Sequence, residues 1–211
     1  LSDLGKATAQ YAEYSKAVGE TVKQLKEFIK LRGDAKKLEE NFSDYGLTQS
    51  WDFKSLEQFR TEYEKLLKAV ESGTDVKQQG GNWFEKLWYT KKDAKSDLGV
   101  MQKRVIEDIQ NRINNLDLSK GTQELEEFFK VLDDEMYTTS LDNIENLFPE
   151  KEWASVLKQR LEALRNFFDQ AKEASAQLDE VVKAKTKTIR DNETEAIKAS
   201  QERELKALRN A

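Results

Sequence analysis

The stretch Trp153–Ile189, WASVLKQRLEALRNFFDQAKEASAQLDEVVKAKTKTI, decides the fold. Trp153, Val156, Leu157, Leu161, Leu164, Phe167, Phe168, Ala171, Leu178, Val181, Val182 and Ile189 hold one stripe at the three-and-four spacing of an amphipathic helix. From about residue 150 to 208 there is neither glycine nor proline, so one helix runs for ~90 Å at 1.5 Å per residue. Such a helix cannot bury its stripe alone. Beyond Ile189 the row thins to Ala196, Ala199, Leu205 and Leu208, an end that is frayed or waiting for a partner.

The first segment repeats in sevens. Leu4, Tyr11, Val18 and Leu25 form one row, and Ala7, Tyr14, Thr21 and Phe28 the second. Val22 and Ile29 widen the stripe, which continues through Leu31, Leu38 and Phe42, so a helix of about 40 residues is expected. Gly5, Gly19 and Gly33 weaken it by up to ~1 kcal/mol each relative to Ala, and tertiary partners must supply the difference. Ser43-Asp44-Tyr45-Gly46 reads as a stop and turn.

Between these two segments the helical period returns three times. Ser50 or Asp52 is placed to cap a helix whose core face is Leu56, Phe59, Tyr63, Leu66, Leu67 and Val70. Ser72-Gly73-Thr74-Asp75 ends it, and Gln78–Asn82 is polar, glycine-rich and aperiodic. From about Asp93 the face is Leu98, Met101, Val105, Ile109, Ile113 and Leu116, broken at Leu118-Ser119-Lys120-Gly121. A third helix carries Leu125, Phe128, Phe129, Leu132 and Met136. Ser140 is expected to cap a further turn or two through Ile144, Leu147 and Phe148, and Pro149 to open the first turn of the last helix.

The expected fold is therefore all-α. It is an elongated three-helix bundle of long helices, residues 1–42 and 93–211, with a small helical appendage at 43–92. No strand signal and no repeat of solenoid length is present.

Composition excludes much chemistry. Of 211 residues, 37% are hydrophobic and 36% charged, against usual shares of ~45–50% and ~25%. There is no histidine and no cysteine. Serine–histidine and cysteine–histidine hydrolysis, thiolate zinc sites, iron–sulfur clusters and disulfides are thereby impossible. The nine glycines form neither a Walker A loop nor a Gly-x-Gly-x-x-Gly loop. A non-enzyme without cofactor or small-molecule substrate is expected. The charges, 35 basic and 40 acidic, are mixed along the chain, so no nucleic-acid stripe stands out. No apolar run approaches the ~20 residues of a membrane span. The chain begins at Leu1 rather than Met, which reads as the loss of a signal peptide or of a piece trimmed on expression.

Three features are candidates for binding. Arg32-Gly33-Asp34 is the tripeptide that integrins read in adhesive proteins. Recognition would need it exposed, while the neighbouring Leu31 is expected to face the bundle; the plainer reading is a surface Arg and Asp beside a tolerated Gly. Trp83, Phe84, Leu87, Trp88 and Tyr89 form the densest aromatic cluster, with the first four on one helical face. That face either closes the appendage onto the long helices or is an exposed anchor for a protein partner. With Lys86, Lys91 and Lys92 beside it, an anionic membrane surface is a further option. Residues 122–152 carry ten acidic and two basic side chains, whereas 183–211 carry eight basic and five acidic. Glu124 with Glu127, or Asp133 with Asp134, resemble hard-cation ligands only in residue type, since no twelve-residue calcium loop surrounds them. The reading there is a solvated acidic face that meets the basic tail within the bundle or between subunits.

Two short segments carry a resemblance. Gln24-Leu25-Lys26-Glu27-Phe28-Ile29-Lys30-Leu31-Arg32-Gly33 and Leu147-Phe148-Pro149-Glu150-Lys151-Glu152-Trp153, together with the helix layout, resemble the minor-pilin or pilus-tip subunits of type IV secretion and conjugation machines. The fuller Thr-Gly-x-Arg-Gly-Leu-Gly pattern of those subunits is absent. The resemblance implies an exported assembly or adhesion subunit, periplasmic or at the cell surface, that joins pilus components and contacts a recipient cell or host receptor. Trp83, Trp88 and Arg32–Asp34 are its first contact candidates. Two other functions compete with it. One is an intracellular, cytoplasmic coiled-coil scaffold whose tail zips to a partner helix, favoured if no signal peptide precedes Leu1. The other is a helical membrane-active, pore-forming protein that inserts at Trp83–Tyr89.

Overall fold

The computed structural model describes residues 2–32, 55–72 and 91–210. Among the described residues the protein is all-α, with seven α-helices, one 3-10 turn and no strand. The helices are α1 (Asp3–Arg32), α2 (Leu56–Ser72), α3 (Lys91–Asn114), α4 (Gln123–Leu132), α5 (Glu135–Asp142), α6 (Ile144–Leu147) and α7 (Lys151–Arg209), and the 3-10 turn is Leu118–Lys120. The chain divides into two compact units. One joins Leu1–Glu20 to Leu164–Ala211, and the other is Thr21–Ala163.

In the unit Thr21–Ala163 the core is organised by α3, which packs against α2, α5 and α6. Leu98, Met101, Val105, Ile109, Ile113 and Leu116 are buried, as the spacing predicts. Ile106 and Ala94 are buried too, because α3 has neighbours on more than one face. Each fully buried isoleucine contributes on the order of 1.5–3 kcal/mol of transfer free energy. From α2 the buried set is Phe59, Tyr63, Leu66, Leu67 and Ala69, and from α4 Leu125, Phe128, Phe129 and Leu132. Val22, Leu25 and Ile29 of α1 and Ala154, Leu157 and Leu161 of α7 complete this core.

Caps and breaks fix where these helices begin. Ser55 Oγ accepts the backbone N–H of Gln58 at 3.2 Å and so caps α2. The expected caps Ser50 and Asp52 lie outside the described residues, as do residues 33–42 of the first helix. Asp117 accepts from the Ser119 N–H at 3.0 Å and opens the 3-10 turn. Gly121 closes it at φ 107°, ψ −169°, a conformation open in practice only to glycine.

The structure corrects four expectations here. The helix expected to run from Leu125 through Met136 is broken in two, because Asp134 is extended and its side chain caps α5 through the Met136 N–H at 3.0 Å. Ser140 is not a cap. It lies inside α5, fully buried, and donates to the Met136 carbonyl at 2.7 Å. Pro149 sits two residues ahead of α7, whose first turn starts at Lys151. Leu31 is 88% exposed rather than turned inward. It stands two residues past buried Ile29, about 200° around the helix, so the buried face of α1 has rotated away from it.

In the unit formed by residues 1–20 and 164–211, Ser2 Oγ caps α1 through the Gly5 N–H at 3.1 Å. Leu4, Ala7, Tyr11 and Tyr14 are half-buried along one side and Val18 is buried. On α7, Leu164, Phe168, Ala171 and Ala174 are buried, and Leu178 and Val181 half-buried.

Candidate interaction surface

Of the residues singled out from the sequence, Trp83, Phe84, Leu87, Trp88 and Tyr89 lie outside the described residues, as do Gly33 and Asp34. Arg32 is described. Its guanidinium lies 4.2 Å from the ring centre of Phe148 and 3.9 Å from that of Trp153, and it pairs with Glu150 at 3.3 Å. Behind it Phe28 stacks on Trp153 at 5.5 Å, with Arg160 over the far ring at 5.1 Å. These contacts bind the last turn of α1 to the first turn of α7. The arginine therefore serves as a structural cation, since its planar face is taken up by two rings.

The acidic segment is likewise engaged. Glu124 Oε2 accepts the Asp117 N–H at 2.7 Å. Asp134, besides capping α5, pairs with Arg60 of α2. Among the described residues no group of three or more acidic side chains is arranged to hold a metal ion. An open groove of about 570 Å³ lies between the end of α3 and α4, lined by Arg112, Glu124, Glu127 and Phe128 among others. Its arginine is turned onto Asp108 at 2.8 Å.

A buried polar network was not legible in the sequence. Tyr137 Oη donates to Asp108 Oδ2 at 2.6 Å, the oxygen that Arg112 Nε also contacts. Tyr63 Oη and Ser140 Oγ are hydrogen-bonded at 3.1 Å, linking α2 to α5. Burial raises the tyrosine pKa values, and for Tyr137 the negative charge of Asp108 adds to that effect. The hydrogen bonds of Tyr137 with Asp108 and of Tyr63 with Ser140 lie in the core and tie α2, α3 and α5 together, with Arg112 at the edge toward the groove.

Among the described residues the far end of α7 is the longest fully exposed stretch. From Val182 to Asn210 every residue is exposed, and Arg209 is still helical. Val182, Ile189, Ile197, Leu205 and Leu208 are between 46% and 74% exposed. Thr186, Thr188 and Thr194 turn their hydroxyls onto the carbonyls of Val182, Ala184 and Arg190, at 2.9, 3.0 and 2.9 Å. Those hydroxyls are thus satisfied by the helix itself. The sequence signal for this surface is the thinning of the apolar row after Ile189. No helix among the described residues is long and apolar enough to cross a membrane.

No known protein family, curated protein or solved structure matches the chain.

Proposed function

We propose that this chain is a non-enzymatic assembly subunit that joins its partners through the exposed end of α7. The observation that supports this reading is the run of helix from Val182 to Arg209 in which no residue is even half-buried. Most helical stability in proteins comes from packing of an amphipathic face, so a helix without neighbours over this length is poised to gain one. The absence of histidine and cysteine supports a role without catalysis. The resemblance to minor pilins of type IV secretion and conjugation machines supplies a setting, an exported subunit among other pilus components. The bare helix end favours partner-helix binding as the way such a subunit, or an intracellular scaffold, assembles.

The test is a chain ending at Val181, expressed in the producing cells and followed by gel filtration of the native extract. The expected outcome is a folded chain that leaves the high-mass fraction occupied by the full-length protein. Co-elution of both chains in the same complex would sink the reading. Fractionating the same cells separates the two settings: recovery from the periplasm or surface supports the secretion subunit, and recovery from the cytosol supports the scaffold.

A further inference from the structure

Which partner fits the bare end of α7 can be read from how its charges are spread around the helix, granted that this end is an interaction surface. At about 100° per residue, Lys183, Lys187, Arg190 and Lys198 fall within about 80° of one another. Thr194 and Gln201 fill the places between and beyond them, and Ile197, Leu205 and Leu208 carry the same stripe on toward the end of the helix. Every one of these side chains is exposed, the three apolar ones at 58%, 55% and 74%. The stripe lies on the far side of α7 from buried Leu164, Ala171 and Ala174. It is therefore a second face, separate from the one that carries Val182 and Ile189.

No carboxylate stands within the stripe. The nearest, Asp191 and Glu202 along one edge and Glu193 and Glu204 along the other, lie about 70–90° from its middle. None of the four cations is ion-paired among the described residues. Lys183 and Lys187 are four residues apart, and Lys187 and Arg190 three, so neighbours along the stripe repel. Asp179, Asp191 and Glu202 each lie four residues from one of the cations, but exposed pairs at that spacing contribute little and give way to a partner.

The width of the stripe selects the kind of anion. A bilayer surface or a nucleic-acid duplex lying along α7 would meet the carboxylates on both edges as well as the cations. A phosphate backbone would also leave Ile197, Leu205 and Leu208 without apolar cover. A helix touches its neighbour along a narrow line of side chains, so it reaches the cations without the flanking acids.

We propose that an acidic amphipathic helix of a protein partner docks lengthwise on the stripe from Lys183 to Leu208. Its carboxylates face Lys183, Lys187, Arg190 and Lys198, and its apolar side chains cover Ile197, Leu205 and Leu208. The contact runs for ~37 Å of α7. This partner is the one that the assembly role requires.

The experiment uses the full chain and a labelled synthetic peptide of about 25 residues, the length of the stripe. Its first half carries glutamates at three-and-four spacing, where they also favour the peptide's own helix, and its second half leucines at the same spacing. A second peptide has lysine in place of every glutamate. Fluorescence anisotropy is expected to show binding of the acidic peptide alone. Lys183→Glu/Lys187→Glu/Arg190→Glu should weaken it by about tenfold or more. Lys185→Glu/Arg203→Glu/Lys206→Glu makes the same change of charge off the stripe and should leave it nearly unchanged. Leu205→Ser/Leu208→Ser should weaken it too. All the altered residues are exposed, and circular dichroism verifies that each variant stays folded.

Failure of the full chain to bind the acidic peptide would overturn the proposal. So would equal weakening by the two charge variants, which would mean attraction spread over the whole tail. Tighter binding to phosphatidylglycerol vesicles or to duplex DNA than to the peptide would overturn it as well, by naming a broad anionic surface instead. The two readings fail separately. A tail that cells require but that ignores the acidic peptide leaves the assembly role standing with a different partner. A tail that is dispensable in cells removes the assembly role even where the purified chain binds the peptide.

Discussion

Tyr137 of α5 donates its hydroxyl to Asp108 of α3 across 2.6 Å, inside a core from which both are almost wholly shielded from solvent. The carboxylate also receives Arg112 Nε, so one charged acceptor is held by two donors from two helices. A charge-assisted hydrogen bond of this kind is among the stronger polar contacts a fold contains.

Replacing Tyr137 by Phe should lower stability by about 1.5–3 kcal/mol, the range for hydrogen bonds to charged groups. The same contact makes a prediction about pH. Burial and the charge of Asp108 raise the phenol above its ordinary value of 10.0, and Tyr63 is raised by burial as well. Between the unfolded and folded pKa values the unfolded chain releases the proton and the native one retains it. The contribution is therefore full below about pH 10 and is lost as pH rises beyond it. Urea midpoints measured from pH 8 to 11 should fall for the parent and fall less for Tyr137→Phe. Parallel curves would show that the phenol does not drive the alkaline loss.

Two glycines should respond in opposite directions to alanine. Gly19 lies within α1 with open space where a Cβ would stand, so Gly19→Ala should stabilise by about 0.5–1 kcal/mol. Gly121 also has open space, but its φ of 107° strains any side chain, and Gly121→Ala should cost about 1–3 kcal/mol. Thermal unfolding of the two variants beside the parent reads both signs. A stabilising Gly121→Ala would mean that the turn after Leu118–Lys120 relaxes to another conformation.

How far the sequence foretold this arrangement depends on whether the signal was local. The stripe of α3 and the length of α7 were legible because periodic apolar spacing is a property of neighbours in the chain. The turn at Gly121 was legible for the same reason. The break at Asp134 was masked because Phe129, Leu132 and Met136 keep the helical spacing on both sides of it, although an aspartate before an apolar residue is itself a start signal. Ser140 read as a cap because its partner Tyr63 is 77 residues away and invisible to any local pattern. The burial of Asp108 leaves no local signal for the same cause, since its donor Tyr137 lies 29 residues along the chain. The exposed end of α7 was partly legible in the thinning of its apolar row after Ile189.

Arg32 should behave as a packing residue. Lysine at this position keeps the charge opposite Glu150 but loses the flat guanidinium between Phe148 and Trp153, and should cost about 0.5–1 kcal/mol. Alanine also removes the aliphatic stem, and about 1–2 kcal/mol is expected. Urea denaturation followed by circular dichroism distinguishes these from an unaffected chain. Equal stability of all three proteins would mean that the stack over Trp153 contributes nothing measurable.

The contrast between two isoleucines separates the core from the surface that awaits a partner. Ile109 is fully buried at the centre of α3, and Ile189 is 51% exposed on α7. Ile109→Ala should cost about 2–5 kcal/mol through lost transfer energy and an unfilled cavity. Ile189→Ala should change the stability of a dilute single chain by no more than ~0.5 kcal/mol. Urea midpoints of the two variants beside the parent read this directly. A large loss at Ile189 would mean that α7 finds its cover within the same chain, since only a side chain that loses water on folding contributes transfer energy to it.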